Sequence, residues 1–202
     1  MKESAIFFDL DDTLVDLADT HTQIYNILLP KYDINIPHCE HTLNTILDGR
    51  SIRDSFWRDF DSLDDRTKFI RENRITLKPN VHSVMEYLHK KYDLFLVTNT
   101  PLYKAELELD LFGLKKYFKE FFFAETTQLA NRKGIKKPDI KIIGDLKHSH
   151  YKEKYMVGDS NTDLLFAKEI DAKFILVSHE KNGHINGHKK VIKNLAELKK
   201  IL

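Results

Sequence analysis

The sequence contains a single cysteine, Cys39, among its 202 residues, so no disulfide can form within the chain and nothing indicates an oxidising compartment. An excess of one charge is also missing, because 32 lysines and arginines stand against 31 aspartates and glutamates, which leaves a formal net charge of +1. This balance gives no electrostatic reason to expect nucleic acid or an anionic membrane as the main partner.

Long apolar runs are absent as well. The first apolar run, residues 5–8, ends at an aspartate, whereas a signal peptide needs a longer run with a cleavage site and a membrane helix needs about 20 apolar residues. We therefore expect neither segment and predict a cytoplasmic protein. A hydrophobic content of 42% and a charged content of 31% are typical of a globular chain, and the length suits one domain or a domain with a smaller insert.

Short apolar runs recur along the chain, and each ends at an acid, a hydroxyl or a turn residue. They are residues 5–8, 94–97, 121–124, 155–157 and 174–177. Continuous runs of this length are typical of strands that are buried on both faces of a parallel sheet. Helical spacing lies between them, as in Val81, Val84, Met85 and Leu88. The alternation predicts an α/β fold with an open parallel sheet and right-handed crossovers.

The stretch from about residue 17 to residue 78 differs from the rest. It contains helical stripes, such as Ile52, Phe56 and Phe60, but no convincing strand. A helical block between the first strand and the next strand–helix unit indicates an insertion. We therefore predict that residues 1–16 and 79–202 form an α/β core and that residues 17–78 form a small helical domain lying on the sheet.

Polar side chains follow the predicted strands at the points where these end. They are Asp9, Asp11, Thr98, Asn99, Asp159 and Asp163. In an open parallel sheet, ligands bind beyond the carboxyl ends of the strands. If the strands before Asp9 and Asp159 are neighbours, these carboxylates repel each other unless a cation lies between them, and hard oxygen ligands favour Mg²⁺. A single strand-end aspartate is usually a turn former or a helix cap, but that explains the pair Asp9 and Asp11 less well.

Four motifs in these positions resemble those of the haloacid dehalogenase (HAD) superfamily. In the order of the family they are DLDDTL at 9–14, TN at 98–99, KPD at 137–139 and GDSNTD at 158–163. Each motif alone carries little information, but the ordered set in the expected strand-end and helix-start settings is specific. The resemblance implies a Rossmann-like core and a phosphatase that acts through an aspartyl-phosphate.

The roles that the resemblance implies can be stated with their chemical reasons. Asp9 would attack phosphorus, and Asp11 would protonate the leaving group and then deprotonate the attacking water. Thr98 and Lys137 would complete the catalytic set, and both would bind the phosphoryl group together with Asn99. An acid at Asp11 argues against dehalogenation, since a halide leaves without a proton.

The resemblance also implies Mg²⁺ as the cofactor. The ion would be held by Asp9, the backbone carbonyl of Asp11 and Asp159, with Asp163 as a supporting acid. One departure from the family pattern is Asp12, which stands where many relatives have glycine.

The predicted insert resembles the helical cap of the family, which closes over the site and excludes water. Its ends near Leu17 and Lys78 would form two hinge strands, and such a cap suits a small phosphorylated metabolite. Arg50 or Arg53 could bind a second anionic group of the substrate, or both could be surface charges. His21 stands at a position similar to a histidine of β-phosphoglucomutase, or it is a polar residue on the first cap helix.

Three functions remain open at this point. The leading one is hydrolysis of a small phosphorylated metabolite, similar to the phosphoglycolate phosphatases. A sugar-phosphate mutase would share the first half-reaction but would not accumulate inorganic phosphate. A non-catalytic HAD-like domain that binds a partner protein would have no need for the clustered charge of the four motifs. The sequence names neither the substrate nor the oligomeric state, monomer or homodimer.

Overall fold

The structure, a computed structural model, describes residues 2–35, 47, 51–124, 134–148, 150–178 and 190–202. The strands in this part of the chain are β1 (Ser4–Phe8), β2 (Val15–Asp16), β3 (Thr76–Leu77), β4 (Asp93–Pro101), β5 (Glu120–Ala124), β6 (Glu153–Gly158), β7 (Lys173–Val177) and β8 (Lys190–Ile192). The α-helices are α1 (Ala18–Lys31), α2 (Arg53–Leu63), α3 (Arg66–Arg71), α4 (Val81–Lys91), α5 (Leu102–Leu111), α6 (Asn161–Glu169) and α7 (Leu198–Ile201).

Six strands form one sheet in the order β5-β4-β1-β6-β7-β8, and every neighbouring pair is parallel. This confirms the predicted α/β fold with an open parallel sheet. The order changes direction beside β1, because the chain runs from β1 outward to β4 and β5 and later returns to add β6, β7 and β8 on the other side. Such a point is where α/β sheets bind their ligands.

The central strand β1 is buried on both faces, which explains its uninterrupted apolar sequence. Ile6 and Phe8 belong to the core on one side of the sheet, whereas Ala5 and Phe7 belong to the core on the other side. Burying each of the larger side chains contributes roughly 1.5–3 kcal/mol. The first core also takes in the apolar stripe of α4 that begins at Val81.

Three short 3₁₀ segments complete the described structure, at Lys115–Tyr117, Ile140–His148 and Leu195–Glu197. The apolar residues Ile140, Ile143 and Leu146 are spaced as in an α-helix, but they lie in 3₁₀ turns. The Ile140–His148 segment is interrupted at Gly144, whose φ of 49° lies in the left-handed region that glycine adopts most readily.

The segment between β2 and β3 contributes the helices α1, α2 and α3 in its described part. Its two ends pair as antiparallel strands, with Val15 opposite Leu77 and Asp16 opposite Thr76. Helix α2 buries Phe56, Trp57 and Phe60, and the Phe60 ring lies 5.2 Å from that of Tyr25 on α1. The division into a core of residues 1–16 and 79–202 and a cap of residues 17–78 stays a prediction. Among the described residues, no helix has both the length and the apolarity to cross a membrane.

Candidate active site

The register of the sheet brings the motif residues to one edge. Phe8 at the end of β1 pairs with Leu96 of β4 and with Val157 of β6. The next residue, Asp9, donates its backbone N–H to the Val157 carbonyl at 3.0 Å and is almost fully buried. The loop after β1 therefore meets the ends of β4 and β6, and the first, second and fourth motifs converge.

A buried lysine joins the third motif to the first and the fourth. The Lys137 Nζ donates to Asp9 Oδ1 at 2.6 Å and to Asp163 Oδ1 at 2.5 Å. Burial alone would lower the pKa of Lys137, but the carboxylates of Asp163 and Asp9 outweigh it and raise that pKa. The lysine is therefore cationic at neutral pH.

Asp159 adds a third carboxylate to the two that contact this lysine. One oxygen each from Asp9, Asp159 and Asp163 lies within 4.8 Å of the other two. Burial raises the pKa of Asp9 well above its usual range, and the charges of Asp163 and Asp159 add to the effect while Lys137 opposes it. Three acidic groups thus lie close together with one buried lysine as their cation. A hard, all-oxygen set of acidic ligands fits Mg²⁺.

Asp163 is held by the N-terminus of α6. Its Oδ2 accepts from the Ser160 backbone N–H at 3.0 Å and from the Ser160 hydroxyl at 2.6 Å, and its own N–H donates to the Ser160 Oγ at 3.2 Å. This is a capping box, which satisfies two N–H groups at the helix start. Gly158 passes directly beneath, and a Cβ there would lie 2.5 Å from the Asp163 Cγ. The fourth motif therefore needs glycine at its first position.

The second motif supports the lysine and the first motif. The Asn99 Oδ1 accepts from the Lys137 backbone N–H at 2.8 Å, and the Asn99 Nδ2 donates to the Lys137 carbonyl at 3.4 Å. The buried Thr98 hydroxyl donates to the Thr100 hydroxyl at 3.0 Å, which in turn donates to the Asp11 Oδ2 at 2.8 Å. Thr98 and Asn99 thus make contacts to protein groups beside the cluster.

Asp11 also meets an arginine that sequence reasoning missed. The Arg66 Nη2 donates to the Asp11 Oδ2 at 3.1 Å, and the Arg66 Nη1 lies 3.4 Å from the Asp11 Oδ1. Burial alone would raise the pKa of Asp11, but the Arg66 guanidinium and the Thr100 hydroxyl lower it. Nothing in the run DSLDDRTKF at 61–69 distinguishes Arg66 from a surface residue, because its partners Asp11 and Glu108 are distant in sequence.

Arg66 belongs to a buried ionic cluster between the insert and α5. Its Nε donates to both carboxylate oxygens of Asp64 at 2.9 Å, and its Nη1 donates to Glu108 Oε1. Lys104 adds a second cation, with its Nζ 2.8 Å from Asp64 and 3.0 Å from Asp61. Burial would lower the pKa of Arg66, but the surrounding carboxylates hold it well above its usual range.

Comparison with known proteins agrees with the geometry of these motifs. The sequence model of a family described as haloacid dehalogenase-like hydrolases matches residues 6–177. The chain belongs to this family. Among curated proteins, none matches it significantly.

Solved structures of HAD proteins share the fold over 98–100% of this chain. A HAD phosphatase from Thermococcus onnurineus is 26% identical, with a TM-score of 0.66 over 98% of this chain and 97% of that chain. A Lactobacillus plantarum protein, proposed to be a phosphoglycolate phosphatase, is 19% identical, with a TM-score of 0.73 over 100% of both chains. A proposed HAD-hydrolase from Bacillus subtilis, solved bound to magnesium, is 20% identical, with a TM-score of 0.68 over 100% of this chain and 99% of that chain. The present HAD protein is therefore a phosphatase-like hydrolase. This agrees with the predicted class, the phosphoric monoester hydrolases.

The departure at Asp12 has a structural reason. Its φ of 56° lies in the left-handed region, which glycine adopts freely and aspartate tolerates better than most residues. Its Oδ1 also accepts the Leu17 backbone N–H at 3.0 Å. An aspartate thus replaces the glycine of many relatives at a modest backbone cost and gains a hydrogen bond at the entrance to α1.

Of the cap residues predicted to bind substrate, the structure describes some and not others. His21 lies on α1, half-buried, with its ring 5.3 Å from that of Phe60, and its Nε2 has no hydrogen-bond partner among the described residues. Arg53 is the first residue of α2. Arg50 lies outside the described residues. The substrate-binding roles of His21 and Arg50, like those of the core residues, stay predictions.

Proposed function

We propose that this HAD protein is a Mg²⁺-dependent phosphatase that hydrolyses a small phosphorylated metabolite in the cytoplasm through an aspartyl-phosphate on Asp9. The observation that carries the proposal is the position of the Asp9 carboxylate. It stands 2.6 Å from the Lys137 ammonium and shares a cluster with Asp159 and Asp163. A nucleophile beside a fixed cation and an oxygen-rich metal site is the arrangement that phosphoryl transfer requires.

The cluster suits the ion that the HAD motifs imply. Asp9 and Asp159 would hold Mg²⁺ together with the backbone carbonyl of Asp11, and Asp163 would support them. Bound Mg²⁺ would supply the positive charge that offsets the repulsion between an anionic nucleophile and an anionic substrate. The magnesium in the Bacillus subtilis relative supports this choice.

The proposed reaction has two displacements at phosphorus. In the first, an Asp9 oxygen forms a bond to phosphorus while the bond to the substrate oxygen breaks, and Asp11 gives that oxygen a proton. In the second, water attacks the aspartyl-phosphate, Asp11 takes the proton of that water, and inorganic phosphate leaves as the Asp9 carboxylate is regenerated. Each proton that Asp11 gives in the first step is recovered in the second.

The phosphoryl group would be bound by the cation and donors beside Asp9. Lys137 would pair with a phosphoryl oxygen as well as with Asp9, since its ammonium has three N–H donors. Thr98 would turn its hydroxyl from Thr100 to the substrate. Asn99 would contribute both by fixing the Lys137 backbone through two hydrogen bonds and by contacting the phosphoryl group.

Residues 17–78 are proposed to act as a cap that closes over Asp9. The antiparallel pair of β2 and β3 would serve as the connection on which the cap moves. Movement between domains is reported for the Bacillus subtilis relative, which supports this role. A closed cap would exclude water during the first displacement and restrict the substrate to small molecules.

The test is the release of inorganic phosphate from a panel of sugar phosphates, phosphoglycolate, nucleotides and p-nitrophenyl phosphate. Each assay is run with Mg²⁺, with EDTA, and with the variants Asp9→Asn and Asp19→Asn. Asp19 is the matched control because it is an exposed aspartate on α1. We expect release with Mg²⁺ that EDTA and Asp9→Asn abolish and that Asp19→Asn retains.

Two results would count against the proposal. Interconversion of sugar phosphates without net phosphate release would favour a mutase. An absence of turnover on every compound, in a protein that nevertheless binds Mg²⁺, would favour a non-catalytic HAD-like domain.

A further inference from the structure

Arg66 enters the site from outside the four motifs. It is the first residue of α3 and lies in the segment between β2 and β3, yet its guanidinium reaches Asp11 in the loop after β1. Only 4% of its side chain is exposed, against 23% for Asp11. An arginine this deeply buried must be paired on every side, and the direction of each pair limits what it can do.

The two oxygens of Asp11 are held unequally. The Asp11 Oδ2 accepts two hydrogen bonds, from the Arg66 Nη2 at 3.1 Å and from the Thr100 hydroxyl at 2.8 Å. The Asp11 Oδ1 has one long contact among the described residues, to the Arg66 Nη1 at 3.4 Å. A bidentate guanidinium fixes the plane of a carboxylate as well as its position. Oδ2 is thus the anchored oxygen, and Oδ1 is the one left for exchange.

The guanidinium is itself held from its other sides. Its Nε donates to both oxygens of Asp64 at 2.9 Å, and its Nη1 donates to Glu108. The Lys104 Nζ in turn donates to Asp64 at 2.8 Å. With its plane set by Asp64 and Glu108, Arg66 cannot turn without breaking buried hydrogen bonds. This makes it a rigid support, unlike an exposed arginine on a flexible stem.

A purely structural cluster would not need Asp11 in particular as a partner of Arg66. The buried carboxyl groups of Asp64 and Glu108 already bind one edge of Arg66, so the remaining edge, which carries Nη2, could face water or a backbone carbonyl. It is aimed instead at the partly exposed carboxylate that the proposed reaction uses as acid and base. Such supporting contacts are what hold a reacting group in productive geometry.

We propose that Arg66 is a positioning residue, which with Thr100 holds Asp11 by Oδ2 so that Oδ1 exchanges the proton with the leaving group and with water. The proposal rests on the phosphatase function proposed above. Because Arg66 lies in the predicted cap, Asp11 would be correctly oriented only while that segment is in place against α5. The cap would thereby make proton transfer conditional on its own closure.

The test compares two leaving groups by kcat/KM, which reports on steps up to the release of the alcohol. An alkyl phosphate needs a proton from Asp11 as its alkoxide leaves, whereas p-nitrophenolate leaves without one. Lysine cannot make the bidentate contact. For Arg66→Lys we therefore expect a loss of roughly 10²-fold on the alkyl phosphate and of less than about tenfold on p-nitrophenyl phosphate, since general acid catalysis contributes about 10²–10⁴-fold.

Two further variants make the comparison specific. Arg71→Lys is the matched control, because Arg71 is exposed on the same helix, and it should leave both rates unchanged. In an Asp11→Asn background, Arg66→Lys should add no further leaving-group-dependent loss, because the group through which it acts has been removed. An equal loss on both substrates, or a selective loss that persists without Asp11, would overturn the proposal.

Thr100 provides a test that does not depend on whether Arg66→Lys folds. Thr100→Val removes the second donor to Oδ2, whereas Thr100→Ser keeps a hydroxyl. If Oδ2 is the anchored oxygen, the valine variant should lose kcat/KM on the alkyl phosphate only, and the serine variant should retain it. An equal loss of kcat/KM on both substrates would refute this geometry. Hydrolysis of p-nitrophenyl phosphate by the wild-type protein tests the underlying phosphatase function separately.

Discussion

The burial of Glu108 predicts how the free energy of unfolding changes with pH. This glutamate on α5 is fully buried, one carboxylate oxygen accepts from Arg66, and the other has no partner among the described residues. Burial raises the pKa of Glu108 from 4.5 to about 8, with Arg66 opposing the rise and Asp11 and Asp64 adding to it. The single guanidinium serves three carboxylates, so the most buried of them keeps its proton at neutral pH.

The dependence of stability on pH follows from this shift. Because the folded-state pKa exceeds the unfolded value, the folded chain keeps a proton between pH 4.5 and about 8 that the unfolded chain has released. The stabilisation is fully present below the unfolded pKa and is lost as the pH rises through this window. The loss amounts to about 1.4 kcal/mol per pH unit, or about 5 kcal/mol over the whole window as an upper limit.

The perturbation is Glu108→Gln, which imitates the protonated acid and keeps an acceptor for Arg66. Urea unfolding of both proteins at several pH values between 5 and 8.5 gives the free energy of unfolding of each. We expect nearly equal stability near pH 5 and a growing advantage of the glutamine variant as the pH rises. Glu106→Gln, an exposed position on the same helix, is the control and should change stability by no more than about 0.5 kcal/mol.

A constant difference between the two proteins would refute this reasoning. If Glu108 were ionised in the folded state and its ion pair with Arg66 were stabilising, the glutamine variant would be less stable than the wild type by the same amount from pH 5 upward, because neither the folded nor the unfolded chain would carry the proton there. Such parallel curves would show that the carboxyl group does not keep its proton in the folded state.

Three further predictions concern the motifs. Asp12→Ala should be about 1 kcal/mol less stable than Asp12→Gly in urea unfolding, because alanine in the left-handed region is strained, and equal stabilities would contradict the backbone argument. Gly158→Ala should cost about 1–3 kcal/mol by overpacking against Asp163 and should weaken Mg²⁺ binding measured by calorimetry; an unchanged affinity would show that the close approach is dispensable. Lys137→Met should cost about 3–5 kcal/mol in thermal unfolding, because it leaves Asp9 and Asp163 buried without their cation, and a neutral effect would show that the cluster tolerates its own charge.

The sheet could be predicted from the sequence because its signal is local. Apolar runs such as residues 5–8 are continuous when both faces of a strand are buried, and the acid or hydroxyl that ends each run marks the edge where ligands bind. Strand β8, with three residues, is too short to produce such a signal. The order of the strands follows from pairing between distant segments, which no local pattern encodes.

The same difference between local and distant signals decides which site residues could be predicted. Asp9, Asp159 and Lys137 could be predicted because each stands in a motif beside a strand end or helix start. Arg66 and Glu108 could not, since a charged residue on a short helix looks like a solvated one until its partners from another segment bury it. The contact of Asn99 with the Lys137 backbone could not be predicted either, because it depends on how the chain brings the third motif against the second.

The most direct test of the account is to trap the phosphorylated protein. Asp11→Asn removes the base of the second displacement but leaves Asp9 intact, so with Mg²⁺ and p-nitrophenyl phosphate we expect about one equivalent of p-nitrophenolate and then a stall. After acid quenching, mass spectrometry should find one phosphoryl group on the peptide that contains Asp9, and none in Asp9→Asn. Steady wild-type turnover with no phosphoryl group on that peptide, or one that persists in Asp9→Asn, would contradict the assignment of Asp9 as the nucleophile.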